Sequence, residues 1–193
     1  TIRGAAIQTD GLHVDVNKDA ADGSWAISNI DGVVAVNRDG TRDVVINGNV
    51  QTGEEGNTDI SLTTGSSALN GIVQKTKPSS GSEDEDEEED FSLPVARQQN
   101  SVAKGNVLTL QNGAAWTNED YNAQKNILAK STFTGSQLLS LKGGEDAVHA
   151  GVIFQKNDKD ITVDNYSGNM RVFYAHDTAV PTTVIGGALR IGK

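Results

Sequence analysis

The chain has 193 residues, a formal net charge of −10, 36% hydrophobic and 5% aromatic residues, 21 glycines and no cysteine. Lack of cysteine excludes a disulfide framework, a thiol nucleophile and a thiolate metal site. The acidic balance excludes the basic stripe that nucleic-acid binding needs to replace phosphate counterions, and no run approaches the roughly 20 apolar residues of a membrane-spanning helix.

In chain order, one short pattern recurs: a few apolar residues, often alternating, then a glycine or Asn-Gly turn. It runs through "GLHVDVN" (11–17), "GVVAVN" (32–37), "DVVINGN" (43–49), "DISLTTG" (59–65), "IVQKT" (72–76), "NVLTLQNG" (106–113), "QLLSLKGG" (137–144), "DITVDNYSG" (160–168) and "TTVIGGALRIG" (182–192). Alternation at period two places Ile60 and Leu62 on one face, with Ser61 and Thr63 on the other. Leu108 with Leu110, Leu139 with Leu141, and Ile161 with Val163 follow the same rule. The glycines that follow supply the tight corners. "VINGNV" (45–50) is the best hairpin candidate, and "NEDYNAQKNILAKS" (118–131) the one plausible helical window, with apolar positions too sparse for a long amphipathic face.

Short strands at loose spacing suit a sandwich or a parallel β-solenoid. Scarce hairpins, few aromatics, repeats alike in sense and Asn/Gly placed just after strands favour the solenoid. Each coil would stack a narrow Val/Ile/Leu column on its neighbours, so no coil is stable alone. The expectation is an all-β solenoid over residues 1–193, part of a longer protein, since the chain starts at Thr1 and stops in the strand-like "ALRIGK".

Eight consecutive carboxylates, Glu83, Asp84, Glu85, Asp86, Glu87, Glu88, Glu89 and Asp90, account for most of the net charge. Residues 78–90 have no apolar side chain to bury and repel one another, so they read as a disordered acidic loop inserted between coils. Similar patterning on both sides favours a loop over a linker between domains. The run is a candidate partner contact. A flexible carboxylate run gives only weak, diffuse Ca²⁺ binding, because a tight site needs six to eight oxygens in fixed geometry, and no cofactor is expected. "DVNKDAADG" (15–23) opens like a calcium loop at Asp15, Asn17 and Asp19, yet has Ala20 and Ala26 where such loops need Gly and Glu; an Asx-rich turn explains it.

His13, His149 and His176 read as isolated, and no nucleophile–base pair is evident. Trp25, Trp116, Tyr121, Tyr166, Phe173 and Tyr174 are candidates for a sugar-stacking platform, densest in "NMRVFYAHD" (169–177), where Phe173 and Tyr174 are the favoured contacts. Alternation there puts Val172 and Tyr174 on one face and Arg171 and Phe173 on the other. Asp158 and Asp160 in "KNDKD" would face one way in a strand, as a glycosidase pair requires, but a turn is the simpler reading.

"LTLQNGAAWTNE" (108–119), "DITVDNYSGNMRVFYAHD" (160–177) and "DVVINGNVQTGEEGNTDISLTTGSSALNGIVQ" (43–74) together resemble the passenger region of type V, pertactin-like autotransporter adhesins of Gram-negative bacteria. The resemblance implies a right-handed parallel β-helix, exported through an outer-membrane β-barrel that lies outside these residues, and displayed at the cell surface. It implies adhesion or autoaggregation toward a host or bacterial surface protein or glycan. Protease passengers of that family carry a Gly-Asp-Ser-Gly type motif that is missing here, so no enzyme activity is expected. A carbohydrate-active β-helix enzyme and a passive stalk are the alternatives.

Overall fold

The computed structural model describes residues 6–9, 11–15, 25–76, 104–124, 135–175 and 187–192. The chain opens with three short strands, β1 (Ala6–Thr9), β2 (Leu12–Asp15) and β3 (Ile27–Asn29). It then repeats the set: β4 (Val33–Val36), β5 (Val44–Asn47) and β6 (Val50–Thr52), followed by β7 (Asn57–Leu62), β8 (Ala68–Asn70) and β9 (Val73–Lys75). Next come β10 (Gly105–Leu110), β11 (Ala115–Asn118) and a four-residue helix, α1 (Tyr121–Gln124). The last elements are β12 (Ser136–Lys142), β13 (Gly151–Gln155), β14 (Ile161–Ser167), β15 (Met170–Tyr174) and β16 (Leu189–Ile191).

The fold is all-β and its sheets are parallel. The first sheet has the order β1-β4-β7-β10-β12-β14-β16, the second β15-β13-β11-β8-β5-β2, and the third β3-β6-β9. Every pairing between these strands is parallel. The first three passes of the chain therefore visit the three sheets in the same sequence, the later described strands alternate between the first and second sheets, and each strand lies beside its counterpart from the pass before. "VINGNV" is accordingly not a hairpin: β5 belongs to the second sheet and β6 to the third. Residues 45–50 form a corner, because each strand finds its partner one circuit away rather than across the turn.

Burial follows the register. Ile46, Leu69, Trp116 and Ile153 are successive partners across the second sheet and all are fully buried. Val36, Ile60, Leu108 and Leu141 do the same in the first sheet. Each such side chain removed from water contributes roughly 1.5–3 kcal/mol before the entropy of ordering is subtracted. Ile161 and Val163 both face the core, as alternation predicts. Leu139 does not pair with Leu141 in this way: Leu138 and Leu141 are the buried pair, and Leu139 is half-buried. Strict alternation breaks over Leu139 and Ser140; β12 pairs with β14 at both its start and its end, and with β10 only at its end.

Corners carry buried amides. Asn29 donates to the carbonyls of Gly32 and Asn57 at 3.0 and 2.9 Å and accepts from Gly32 N–H at 2.9 Å. Asn37 Oδ1 accepts from Thr41 and Arg42 N–H, and its amide donates to Arg42 and Ser61 carbonyls. Backbone groups that leave the sheets at these bends would otherwise be buried without partners. The helical window shrinks to α1. Its start is fixed by Asp120 Oδ1, which accepts Asn122 N–H at 3.1 Å, and by Asn49 Oδ1, which accepts Tyr121 N–H at 2.9 Å. Residues 125–131 of that window lie outside the described residues.

Gly71 and Gly113 show how unequal the corner glycines are. A Cβ on Gly71 would sit 2.2 Å from the Gly48 carbonyl oxygen, whereas one on Gly113 would meet nothing within 4 Å despite its φ of +80°. Gly71→Ala should destabilise the fold by more than about 2 kcal/mol, and Gly113→Ala by about 1 kcal/mol, the left-handed backbone cost alone. Urea unfolding midpoints would check the order; equal losses would contradict it.

β16 is held by Asp160, whose carboxylate accepts from Ala188 N–H at 2.8 Å and pairs with Arg190. The Arg190 bond, then the Ala188 bond, hold the Asp160 carboxyl below its ordinary 3.8. A lowered folded value adds stability above 3.8 that is lost as pH falls through the folded value. Acidification below 3.8 should therefore loosen β16 selectively, seen as NMR shift changes at Leu189–Ile191. Asp160→Asn should weaken β16 at neutral pH and abolish that acid dependence.

Candidate functional site

Where inward positions are packed, chemistry available to a partner lies on the outward rows. On the second sheet, Asn47, Asn70, Thr117, Phe154 and Phe173 are successive register partners. All are outward neighbours of fully or partly buried residues, and all are half-buried or exposed. Beside them runs a second outward row, Val45, Ala68, Ala115, Val152 and Arg171. The amides at the start are laddered, Asn70 Nδ2 donating to Asn47 Oδ1 at 2.7 Å. At the other end the rings of Phe154 and Phe173 stack, with centroids 5.4 Å apart and planes 23° from parallel. Such stacking adds roughly 0.5–1.5 kcal/mol beyond area burial, yet Phe154 stays 37% and Phe173 53% exposed. These two rings with Tyr174, Ala175, Glu119 and Lys156 line a groove of about 250 Å³.

Of the residues singled out in the sequence, Phe173 and Tyr174 come together in this groove. Val172 is partly buried against the core and Tyr174 shares its half-buried side, while Arg171 and Phe173 are exposed, as alternation predicts. Phe154 was not foreseen. Its signal is visible only once β13 and β15 are aligned, because "GVIFQ" and "MRVFY" carry Phe at the same position. Trp116 does not belong to a surface platform: it is fully buried and its Nε1 donates to the Gly71 carbonyl at 2.8 Å. Tyr166 is partly exposed on β14, and burial raises its hydroxyl above the ordinary 10.0.

His149 is not isolated. Its Nδ1 lies 2.8 Å from Asp146 Oδ1 and 3.6 Å from Glu145. Asp146 Oδ1 also accepts Val148 and His149 N–H, and these bonds, the His149 backbone first, lower its carboxyl below 3.8. The trio lies at the surface, with His149 and Asp146 about half exposed, in the loop between β12 and β13. Asp158 sits in a bend and Asp160 immediately before β14, neither in a strand, and Asp160 serves the β16 tether. Asp59 is half-buried on the first sheet, and burial raises its carboxyl above 3.8 against the opposing pull of Lys142 and Arg38. Glu83–Asp90, the Asn17–Gly23 part of the calcium-like loop and His176 lie outside the described residues.

A second cleft, about 300 Å³, opens beside Lys75, Lys104, Glu54, Asp164, Gln137 and Leu139. Lys104 there pairs with Glu55. Thr76 and Lys104, the described residues on either side of residues 77–103, both line it. It offers donors and acceptors of both charge signs over an apolar floor.

Comparison with protein-family models, with curated proteins and with solved structures gave no match in any of the three.

Proposed function

We propose that this chain is a segment of a surface-displayed adhesin of the autotransporter passenger kind, a right-handed parallel β-helix that presents its outward rows as a contact face. Export through an outer-membrane β-barrel and display at the cell surface belong to the same reading. The partner is a protein or glycan on a host or bacterial surface, with self-association as a further mode. Catalysis has no part in it.

One observation carries the reading: the second-sheet register runs unbroken from β2 to β15, and its outer face keeps its side chains in rows. A rod with repeating outward rows is suited to many weak contacts. Display of many copies on one cell multiplies those contacts through effective concentration, by roughly 10²–10⁴ over a single engagement. The β7–β10 pairing, in which Asn57 lies beside Gly105, spans the acidic run and keeps the scaffold continuous on either side of it. In this reading the eight carboxylates from Glu83 to Asp90 decorate the rod and tune its approach to a charged surface.

Bacteria displaying the segment should adhere to host ligands or aggregate, and cells displaying the same protein without it should lose that property while surface display stays intact. Deleting residues 79–90 alone should change adhesion in a salt-dependent manner and leave the sheets folded. Adhesion unaltered by removal of the whole segment would make it a stalk and end the adhesin reading.

A further inference from the structure

We propose that the outer face of the second sheet, with the Phe154–Phe173 groove at its end, binds an extended neutral polysaccharide lying along the rows. This rests on the adhesin reading and names its ligand.

Charge is the first argument. The chain carries −10, yet from β5 to β15 the row Asn47–Asn70–Thr117–Phe154–Phe173 contains no ionisable side chain; His13 and Asp15 take the corresponding register positions only on β2, beyond that strip. The adjoining Val45–Ala68–Ala115–Val152 row is also uncharged until Arg171. A polyanion would find no line of cations here. A neutral glycan needs what the rows supply: amides and a hydroxyl for its hydroxyl groups, small side chains that let it lie flat, and aromatic rings for its C–H faces.

Size is the second. Four parallel steps of about 4.8 Å make the face roughly 19 Å long, and two outward residues make it under about 10 Å wide. That is on the order of 200 Å², against about 800 Å² per partner in a stable protein complex. A second copy or a folded receptor would need far more surface, whereas a single glycan chain fits the strip. The strand spacing is also close to the length of one pyranose residue in an extended chain, so successive sugars meet equivalent groups. At the far end Glu119 and Lys156 place an acceptor and a donor on the rim of the aromatic groove, where one sugar can be oriented.

The test uses the full chain with cellohexaose, mannohexaose and chitohexaose as neutral probes and hexagalacturonate as the anionic one, by calorimetry. At least one neutral probe should bind, hexagalacturonate should not, and affinity should hold from about 0.05 to 0.5 M salt because no ion pair is involved. Phe154→Ala and Phe173→Ala should each weaken binding by about tenfold, a loss of roughly 1.4 kcal/mol, with unchanged circular dichroism. Thr117→Arg, a charge placed mid-row on an outward position, should abolish it; Lys104→Ala at the separate cleft should leave it unchanged. Binding of none of the neutral probes, preference for hexagalacturonate, or indifference to Thr117→Arg overturns the proposal. If displaying cells adhere but no neutral probe binds, the ligand class fails and the adhesin reading stands. If a probe binds with these variant effects but the cells do not adhere, the glycan face stands and the adhesin reading fails.

Discussion

Parallel backbone pairing ties together residues that are far apart in the chain: Ile60 lies beside Leu108, and Leu108 beside Leu141. A circuit of short strands has almost no core of its own. Its apolar side chains become buried only when the next circuit lays equivalent side chains on them, as Ile46, Leu69, Trp116 and Ile153 do in one column. Stability is therefore a sum of nearest-neighbour stacking terms, and register is strongly enforced, because a slip by one residue would turn a whole column outward.

The same stacking dictates where polar groups can be buried. Corners bring backbone carbonyls and amides into the interior without a sheet partner, and short amide side chains fill that need. Asn118 links three elements at once: its Nδ2 donates to Gln155 Oε1 at 2.7 Å, its Oδ1 accepts Ser136 Oγ–H at 2.6 Å, and Ser136 Oγ accepts Val73 N–H at 3.1 Å. The second sheet, the first and the third are thereby joined through one chain of hydrogen bonds. Replacing such a residue with an apolar one of similar size would leave several buried groups unsatisfied, each costing about 1–3 kcal/mol.

The strands and their facing were largely legible in the sequence, because period-two alternation is local. Ile60 with Leu62, Leu108 with Leu110, and Ile161 with Val163 are buried as that pattern requires. What was not legible depends on pairing between distant residues. "VINGNV" looks like a hairpin because Asn-Gly is the usual two-residue turn, and nothing within it reveals that both flanking strands have better partners one circuit away. Leu139 fails because β12 must satisfy two neighbours whose inward positions differ in phase. Whether Trp116 is a stacking ring or a core residue is not decided by its own stretch of sequence; the Gly71 carbonyl that accepts its indole N–H belongs to a distant segment. Phe154 escaped notice because its significance lies in standing beside Phe173, a relation that only the register creates.

A scaffold fixed in this way leaves function to its outward positions. Inward side chains are held by contacts on both sides along the stack, so a substitution there is felt by two circuits at once. Outward side chains answer only to their row neighbours, which is why Ala68, Ala115 and Val152 can share one row and Asn47, Thr117 and Phe154 another without disturbing the core. The corners share that freedom. Lengthening a connection between strands adds little loop entropy once its ends are pinned, and the pairings of Asn57 with Gly105 and of Ala68 with Ala115 hold described strands from before and after residues 77–103 in one register. Rows are thus a place where such a molecule can acquire a binding property without renegotiating its fold, and here one row ends in stacked phenylalanines.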